Sequence, residues 1–317
     1  MSAALSIWVT MYLVVLFLGL FFLIIGSDFF IEYAASLAKD LGMSQHLVGI
    51  TIVAFATSLP EILVSVISIT KGEPNIAVGN IIGSNVTNIG IALSISAVVM
   101  FVVVSKSAKF DALFMCAITG LLFLFVMFDG MLNWYEGLSF LALYGLYVFY
   151  LAKRNVAPPQ GTGVGTLSKD LFYTIAGAAG LILGAELMIR SAIGIAGIFN
   201  ISTLLIGFTL VAIGTSLPEI ASTITAALKK KYELAVGNIV GSNIINILLA
   251  LGLVAFITDI PFTHEVTWVV IPFTIIFSLV LAAMTFNDRI SKREGWVLLG
   301  GYIVFPVSYT HLTLPTN

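Results

Sequence analysis

Two stretches of the sequence closely resemble each other: GITIVAFATSLPE at residues 49–61 and GFTLVAIGTSLPE at residues 207–219. A second pair follows, GNIIGSNVTNIG at residues 79–90 and GNIVGSNIINIL at residues 237–248. The members of both pairs are separated by the same 158 positions. The chain therefore contains an internal repeat, whose two copies align without a gap between these motifs.

The composition is that of an integral membrane protein. Of the 317 residues, 59% are hydrophobic and 9% are charged, and the mean hydropathy is +1.10. A soluble domain needs more surface charge than this, whereas a transmembrane helix needs about 20 apolar residues. Apolar runs between polar or Gly/Pro-containing breaks predict an all-α fold of about ten transmembrane helices. The runs lie at residues 6–37, 44–70, 75–104, 110–128, 132–152, 168–196, 201–228, 233–258, 265–286 and 294–308.

The distribution of positive charge predicts the orientation of these helices. Positive residues near helix ends are retained on the cytoplasmic side of a membrane. If the N-terminus is outside, the outer segments hold only Lys71 and Arg190. The inner segments hold Lys39, Lys106, Lys109, Lys153, Arg154, Lys169, Lys229, Lys230, Lys231, Arg289, Lys292 and Arg293. The sequence thus predicts a multi-pass protein of the cell membrane with both termini outside. Residues 2–11 contain no Lys or Arg, so the first run is interpreted as a permanent span and not a signal peptide.

The chain divides into two halves at a Pro- and Gly-rich segment. Residues 153–167 have the composition of a cytoplasmic linker between a first five-helix repeat at 1–152 and a second at 168–308. Because five is an odd number, the second repeat enters the membrane from the opposite side, and the repeats are inverted in topology. Inverted repeats are typical of secondary transporters. Residues 309–317 are polar and are interpreted as a non-native tail.

Each TSLPE motif places a proline and a glutamate inside an apolar run. Proline removes a backbone donor and clashes with the carbonyl four residues earlier, so we expect helix breaks near Ala56 and Gly214. Glu61 and Glu219 lie near the middle of their spans, where an ionised side chain costs about 2.5–3.5 kcal/mol. Two such carboxylates brought together would repel each other unless a divalent cation neutralised both.

The neighbouring residues offer oxygen atoms, which are the ligands that calcium prefers. Calcium takes about 6 to 8 oxygen ligands, whereas zinc or copper would call for His or Cys. The three histidines map to span ends or to the tail, and no cofactor is predicted. Small residues let the GNIIGSN and GNIVGSN helices approach the broken helices closely, which places Ser84 and Ser242 to face the site. The other candidate donors are the hydroxyls of Thr57, Ser58, Thr215 and Ser216 and the amide oxygens of Asn88 and Asn246.

The paired motifs resemble the alpha repeats of the cation/calcium antiporter superfamily, and the sodium/calcium exchangers of prokaryotic type in particular. In this sequence the signature is ATSLPE in the first half and GTSLPE in the second, each followed by GSN-x-x-N. The resemblance extends over nearly the whole chain, to about Phe305. It implies a ten-helix fold in which the second, third, seventh and eighth helices enclose the ion sites, while the first and sixth slide across them.

The resemblance also implies roles for individual residues. Glu61 and Glu219 correspond to shared ligands of calcium and sodium, and Ala54 and Ala212 to ligands through their carbonyl oxygens. The remaining correspondences are Thr57, Ser58, Thr215 and Ser216 as ligands through hydroxyl or backbone oxygen, Ser84 and Ser242 as sodium ligands, and Asn88 and Asn246 at the centre.

Two positions depart from the family pattern. Many exchangers of this branch have Asp where this chain has Asn246, and the usual Gly is replaced by Ala56. The first departure removes a titratable group and bears on the identity of the coupling ion. The second alters local packing.

Several other functions are compatible with parts of the sequence. Within the superfamily, a proton/calcium or a potassium-dependent sodium/calcium exchanger would use the same oxygen ligands. An intramembrane hydrolase with Ser58 or Ser216 as nucleophile lacks a nearby base, and a channel would more often be built from a ring of identical subunits. We therefore expect a non-enzymatic, monomeric secondary active antiporter that exchanges sodium for calcium across the membrane by alternating access. Its expected partners are calcium, sodium and the lipid bilayer, with no nucleic acid.

Overall fold

In a computed structural model, the chain is described over residues 3–40, 54–104, 106–154, 167–228, 230 and 232–313. The first half begins with the long helix α1 (Ala3–Asp40). Its other helices are α2 (Ala54–Thr57), α3 (Leu59–Thr70), α4 (Pro74–Thr87), α5 (Ser94–Val99), α6 (Lys106–Val126) and α7 (Trp134–Arg154), with a π-helical segment π1 (Asn88–Leu93) between α4 and α5.

The second half follows a similar order, with one further short helix and two further π-helical segments among the described residues. It begins with the long helix α8 (Leu167–Phe199). Its other helices are α9 (Thr203–Ile206), α10 (Ala212–Thr215), α11 (Leu217–Leu228), α12 (Tyr232–Ile245), α13 (Gly252–Ile257), α14 (Ile271–Thr285) and α15 (Lys292–Thr313). Three further π-helical segments are π2 (Gly207–Val211), π3 (Asn246–Leu251) and π4 (Val266–Val270).

Most of the predicted spans coincide with helices of the structure. Among the described residues, seven helices are long and apolar enough to cross a membrane, and the bent pair Thr203–Thr215 and Leu217–Leu228 makes an eighth. The second predicted span, at residues 44–70, begins within residues 41–53, which lie outside the described part. Of this span the structure describes α2 and the shorter apolar helix α3. The tenth lies within α15, which is less apolar because it includes the polar sequence SYTHLT. Residues 155–166 of the predicted linker are also outside the described part.

Two short antiparallel ladders join the halves. Val102 pairs with Ile290, and Leu132 pairs with Ile260. The two pairs are related by the repeat offset of 158 residues, because Ile260 follows Val102, and Ile290 follows Leu132, by that number of positions. Asn85 and Asn243 are separated by the same number.

The third predicted span, at residues 75–104, was wrong at its end. The helix stops at Val99, and the chain becomes extended at Met100, with φ −147° and ψ 132°.

The long helices α1 and α8 pack against each other along a seam of glycines. A Cβ atom added at Gly19 would lie 2.9 Å from the backbone nitrogen of Met188, and one at Gly184 would lie 2.7 Å from that of Leu23. At Gly26 the corresponding distance to the backbone nitrogen of Leu181 is 2.7 Å. Any larger side chain would push the two backbones apart. The seam therefore joins one helix of each half into a closely fitted pair.

Candidate ion-binding site

Both TSLPE segments are helix breaks. In the first half, Ser58 separates α2 from α3 and has φ −84° and ψ 1°. In the second, Ser216 separates α10 from α11 with φ −80° and ψ 3°, and the helix axis bends by 44°. Pro60 and Pro218 lie in the first turn of the helix after the break, where the missing N–H is not needed.

The breaks lie slightly later in the chain than the sequence predicted. They fall at Ser58 and Ser216, two residues beyond Ala56 and Gly214. The proline starts a new helix here instead of kinking an existing one, so the residues on either side of the serine remain helical. Since Pro60 and Pro218 each follow the serine by two residues, the glutamate after each proline lies in the first turn of the second helix piece.

The two glutamates are hydrogen-bonded across the halves. Ser58 Oγ donates to Glu219 Oε1 at 3.2 Å, and Ser216 Oγ donates to Glu61 Oε1 at 3.0 Å. All four side chains are buried, and both glutamates have no exposed surface. Within the described part of the chain, neither carboxylate forms an ion pair with Lys or Arg. The site thus holds two buried acidic groups whose polar contacts are with hydroxyls.

The threonine before each break contacts the other half. Thr57 Oγ1 lies 3.2 Å from the carbonyl oxygen of Ala54 and 3.3 Å from Asn238 Oδ1. The carbonyl oxygen of Ala54 also accepts the backbone N–H of Ser58 at 3.1 Å. This candidate carbonyl ligand is therefore engaged in the local turn, and a cation that used it would compete with the threonine hydroxyl.

The equivalent threonine has one contact more. Thr215 Oγ1 lies 3.0 Å from Asn80 Oδ1 and 3.3 Å from the carbonyl oxygen of Ala212. Ser84 Oγ approaches both, at 3.4 Å from Thr215 Oγ1 and 3.4 Å from the carbonyl of Ala212. Its counterpart Ser242 is fully buried, and its Oγ has no hydrogen-bond partner among the described residues. The two flanking serines are thus in different environments.

Glycines bring the third span into close contact with the broken helix of the other half, as the sequence predicted. A Cβ atom at Gly79 would lie 2.8 Å from the carbonyl oxygen of Leu204, and one at Gly83 would lie 2.8 Å from Ala212 Cβ. In the second half the approach is looser, because a Cβ at Gly241 would lie 3.4 Å from Ala54 Cβ, an ordinary van der Waals contact, and one at Gly237 would have no described atom within 4 Å. The small residues therefore bring α4 into close contact with the segment that carries Ala212, while α12 lies in ordinary contact with α2.

Asn88 and Asn246 are the first residues of π1 and π3. A π-helical turn inside an α-helix is often associated with a functional site, because it changes the direction of side chains locally. Both asparagines are fully buried, and their Nδ2 atoms are held by Asn243 and Asn85, respectively.

Four asparagines outside the predicted ligand set belong to the same polar cluster. They form hydrogen bonds between helices; Asn80 Nδ2, for example, donates to the backbone oxygen of Glu61 at 3.1 Å and to Ser65 Oγ at 2.9 Å. The four are Asn80, Asn85, Asn238 and Asn243. Their recurrence at the repeat offset was visible in the sequence, but the sequence did not indicate which atoms they hold.

Five buried oxygen atoms of this cluster have no hydrogen-bond partner among the described residues. An unsatisfied buried polar atom costs about 1–3 kcal/mol, and more when it is charged. Such atoms are explained if they bind a cation, because the cation replaces the missing donors. The five are Glu61 Oε2, Glu219 Oε2, Asn88 Oδ1, Asn246 Oδ1 and Ser242 Oγ. They come from α3, α11, α12, π1 and π3, and two carboxylates with neutral oxygens suit a hard cation.

An ion pair links α8 to the end of the Glu61 helix. Lys71 Nζ lies 2.8 Å from Glu186 Oε1, and Arg190 Nε lies 2.6 Å from the same oxygen. Lys71 and Arg190 are the two positive residues that the sequence assigns to the outer side. Both lysine and glutamate are partly exposed, at 28% and 27% of their side-chain surface.

Comparison with known proteins identifies relatives that match most of the chain. The family model described as sodium/calcium exchanger protein matches residues 11–153 and 169–309. A putative antiporter, CaxA, of Alkalimonas amylolytica is 33% identical over 90% of this chain and 94% of its own. The sodium/calcium exchanger MaX1 of Methanosarcina acetivorans is 30% identical over 94% of this chain and 98% of its own.

Solved structures agree with the sequence comparison. The sodium-calcium exchanger NCX_Mj, in a crystal soaked with Na+ and no Ca2+, matches with a TM-score of 0.72 and 31% identity, covering 95% of this chain and 99% of its own. The same exchanger soaked with Na+ and Sr2+ matches with a TM-score of 0.71 and 31% identity, covering 93% and 97%. The likeness therefore extends to the arrangement of helices in space.

Proposed function

The chain belongs to the sodium/calcium exchanger protein family and is a membrane antiporter of cations, and we propose that it exchanges sodium for calcium across the cell membrane. Glu61 and Glu219 would bind both ions in turn. The set of buried oxygens without partners carries this proposal, because two carboxylates and neutral oxygens match the charge and ligand preference of calcium. Sodium is also a hard cation, and the hydroxyls and carbonyls around the carboxylates are suitable ligands for it.

The same oxygens explain why the two ions would exchange. Calcium neutralises both carboxylates at once, whereas sodium ions do so one charge at a time. Since both bind through Glu61 and Glu219, they compete, and neither is bound with its full set of ligands while the other is present. A site left without a cation leaves two buried acidic groups without a compensating charge and is costly, which would disfavour movement of the empty transporter.

Alternating access would come from movement of the glycine-seamed pair α1 and α8 across the site. Both helices pack against the broken helices without contributing a candidate ligand: α8 packs against α3, and α1 contacts α2, α10 and α11. Their displacement would change which side of the site is open while the ligands themselves stay in place.

The proposed architecture is ten spans in two inverted five-helix repeats, at 1–152 and 168–308, with both termini outside. Two observations support it. The family model matches two segments with nearly these bounds, and hydrogen bonds and ladder pairs recur at the repeat offset. Since the halves exchange hydrogen bonds within one chain, a single chain completes the site, and a monomer would be sufficient.

Transport in vesicles tests the proposal. Purified protein would be reconstituted into vesicles loaded with sodium and diluted into sodium-free buffer with labelled calcium. We expect uptake that requires internal sodium and that is lost in Glu61→Gln and Glu219→Gln. Glu265→Gln is the matched control, because Glu265 is exposed and precedes π4, outside the cluster.

Gradients of protons and potassium distinguish sodium/calcium exchange from the two alternative exchange reactions. Uptake driven by a proton gradient without sodium would assign a proton/calcium exchanger. Uptake that needs potassium together with sodium would assign a potassium-dependent one. Calcium flux that needs no counter-ion and survives both Gln substitutions would overturn the assigned site.

A further inference from the structure

Four buried asparagines, two from each half, form one hydrogen-bonded network in the candidate site. Asn246 Nδ2 donates to Asn85 Oδ1 at 3.0 Å, and Asn88 Nδ2 donates to Asn243 Oδ1 at 3.0 Å. Asn85 Nδ2 in turn donates to the backbone oxygen of Asn243 at 3.4 Å, and Asn243 Nδ2 donates to that of Asn85 at 3.1 Å. We call these four residues the asparagine network.

The backbone oxygens fix the orientation of every amide in the asparagine network. A carbonyl oxygen only accepts hydrogen bonds, so Asn85 must turn its Nδ2 toward the backbone of Asn243. The Oδ1 of Asn85 therefore faces Asn246, which must donate a hydrogen bond to it through its Nδ2. The Oδ1 of Asn246 is consequently the atom left over. By the same reasoning, Asn243 turns its Nδ2 toward the backbone oxygen of Asn85 and accepts the Nδ2 of Asn88 on its Oδ1, so the Oδ1 of Asn88 is left over.

The oxygens left over are the ones without partners. Asn88 Oδ1 and Asn246 Oδ1 are buried and accept no hydrogen bond within the described part of the chain. The segment π1 packs against α11, which carries Glu219, and π3 packs against α3, which carries Glu61. The network therefore leaves one unpaired amide oxygen from each half close to a helix that carries a buried carboxylate.

We infer that Asn85 and Asn243 are positioning residues, which orient Asn246 and Asn88 so that each presents its amide oxygen, and not its N–H, to the transported cation. This inference rests on the proposed function. A reversed amide would remove a ligand and also direct a partial positive charge at the cation. Asn85 and Asn243 act through their neighbours, because their side-chain oxygens accept the hydrogen bonds of Asn246 and Asn88.

The asparagine network also accounts for the departure at position 246. Asn85 Oδ1 needs a donor from residue 246, and an ionised carboxylate has none. An asparagine supplies this donor and keeps an oxygen for the cation. With Asn at both 88 and 246, the two halves make the same pair of contacts, and the fixed charge of the site is limited to Glu61 and Glu219.

A double-mutant cycle tests the inference in reconstituted vesicles. Asn85→Leu removes the acceptor for Asn246 at similar side-chain size, and we expect it to raise the KM for calcium about tenfold while changing kcat less. In an Asn246→Ala background, Asn85 has no amide to orient. There Asn85→Leu is expected to change KM by less than about twofold. The two single effects would thus fail to multiply.

Asn243→Leu with Asn88→Ala is the second direct pair, in which the two residues are hydrogen-bonded to each other. It should repeat the non-multiplicative result. The matched control is a crossed pair, whose two side chains are not hydrogen-bonded to each other. Asn85→Leu with Asn88→Ala should come much closer to multiplying, because no hydrogen bond joins these two side chains in the structure. If Asn85→Leu is poorly folded, the Asn243 and Asn88 cycle carries the same test.

Failure of the inference is distinct from failure of the proposed function. If the single effects on KM multiply equally in the direct and the crossed pairs, Asn85 and Asn243 serve only helix packing, even if sodium-driven uptake is intact. If wild-type uptake is driven by protons or potassium instead, the cycle is measured on that uptake. If no uptake occurs, the calcium-induced rise in unfolding temperature of the purified protein replaces KM. Non-multiplicative loss of that rise would support the inference, and multiplicative loss would overturn it.

Discussion

Ser216 Oγ lies 3.0 Å from Glu61 Oε1, so a hydroxyl from the second half of the chain supports the carboxylate of the first. The reverse contact, from Ser58 to Glu219, is 3.2 Å. Each candidate ligand helix is thus completed by the opposite half, and neither half contains a whole site.

These crossed hydrogen bonds predict equal effects for two distant substitutions. Ser58→Ala and Ser216→Ala each remove a donor from a buried carboxylate, so each should raise the KM for calcium by about tenfold or more. Ser68→Ala is the control, because Ser68 is also buried on α3 but donates to Val64 O of its own helix at 2.7 Å. A defect in only one of the two serine variants would contradict the shared site.

The close approach at Gly79 predicts a loss of stability. A Cβ there would lie 2.8 Å from a backbone oxygen, so Gly79→Ala should lower the free energy of unfolding by about 1–3 kcal/mol. Gly120→Ala is the control, since no described atom lies within 4 Å of its added Cβ and alanine favours a helix. Thermal unfolding of the purified protein in detergent measures both. Equal unfolding temperatures in the two variants would argue against this packing.

The proposed orientation predicts which residues an impermeant thiol reagent reaches. Cys116 is buried and is the one cysteine of the sequence, so Cys116→Ala gives a cysteine-free background. In that background, a maleimide added to intact cells should label Thr70→Cys and should label Asn287→Cys only after permeabilisation. The reverse pattern would invert the topology, and labelling of both in intact cells would contradict the span count.

The Lys71–Glu186 ion pair predicts an effect on rate. It ties α8 to the core, and partly exposed pairs are worth about 0.2–1 kcal/mol. If α8 moves during transport, Lys71→Met and Glu186→Gln should each raise the maximal exchange rate by up to about fivefold, with little effect on KM.

The charge-reversed double variant Lys71→Glu with Glu186→Lys tests the pairing itself. It restores the attraction and should bring the rate back toward the wild-type value. Arg190, which contacts the same carboxylate, would oppose a lysine at 186, so recovery is expected to be partial. No recovery would indicate that the single variants act in another way.

The sequence predicted the positions of most helices because their causes are local. Apolar run length and proline placement are properties of neighbouring residues, and the run at 233–258 became helix from Tyr232 to Ile257. The TSLPE repeat likewise located both helix breaks to within two residues.

The sequence could not predict the orientation of the amides or the π-helical turns. Asn246 meets Asn85 across 161 positions and Asn88 meets Asn243 across 155, so the contacts depend on how the halves assemble. The asymmetry between Ser84 and Ser242 is similar, because the repeat makes them equivalent in sequence while the packed chain gives a partner only to Ser84 among the residues described.

The glycine seam between α1 and α8 restricts how a leak could arise. Because backbone meets backbone at Gly19, Gly26 and Gly184, separating the two helices would open a gap between them, so we expect them to move as one body during transport. If this body covers one entrance before it uncovers the other, the inner and outer entrances would not open together, and the fit of three glycines would oppose a free flow of ions.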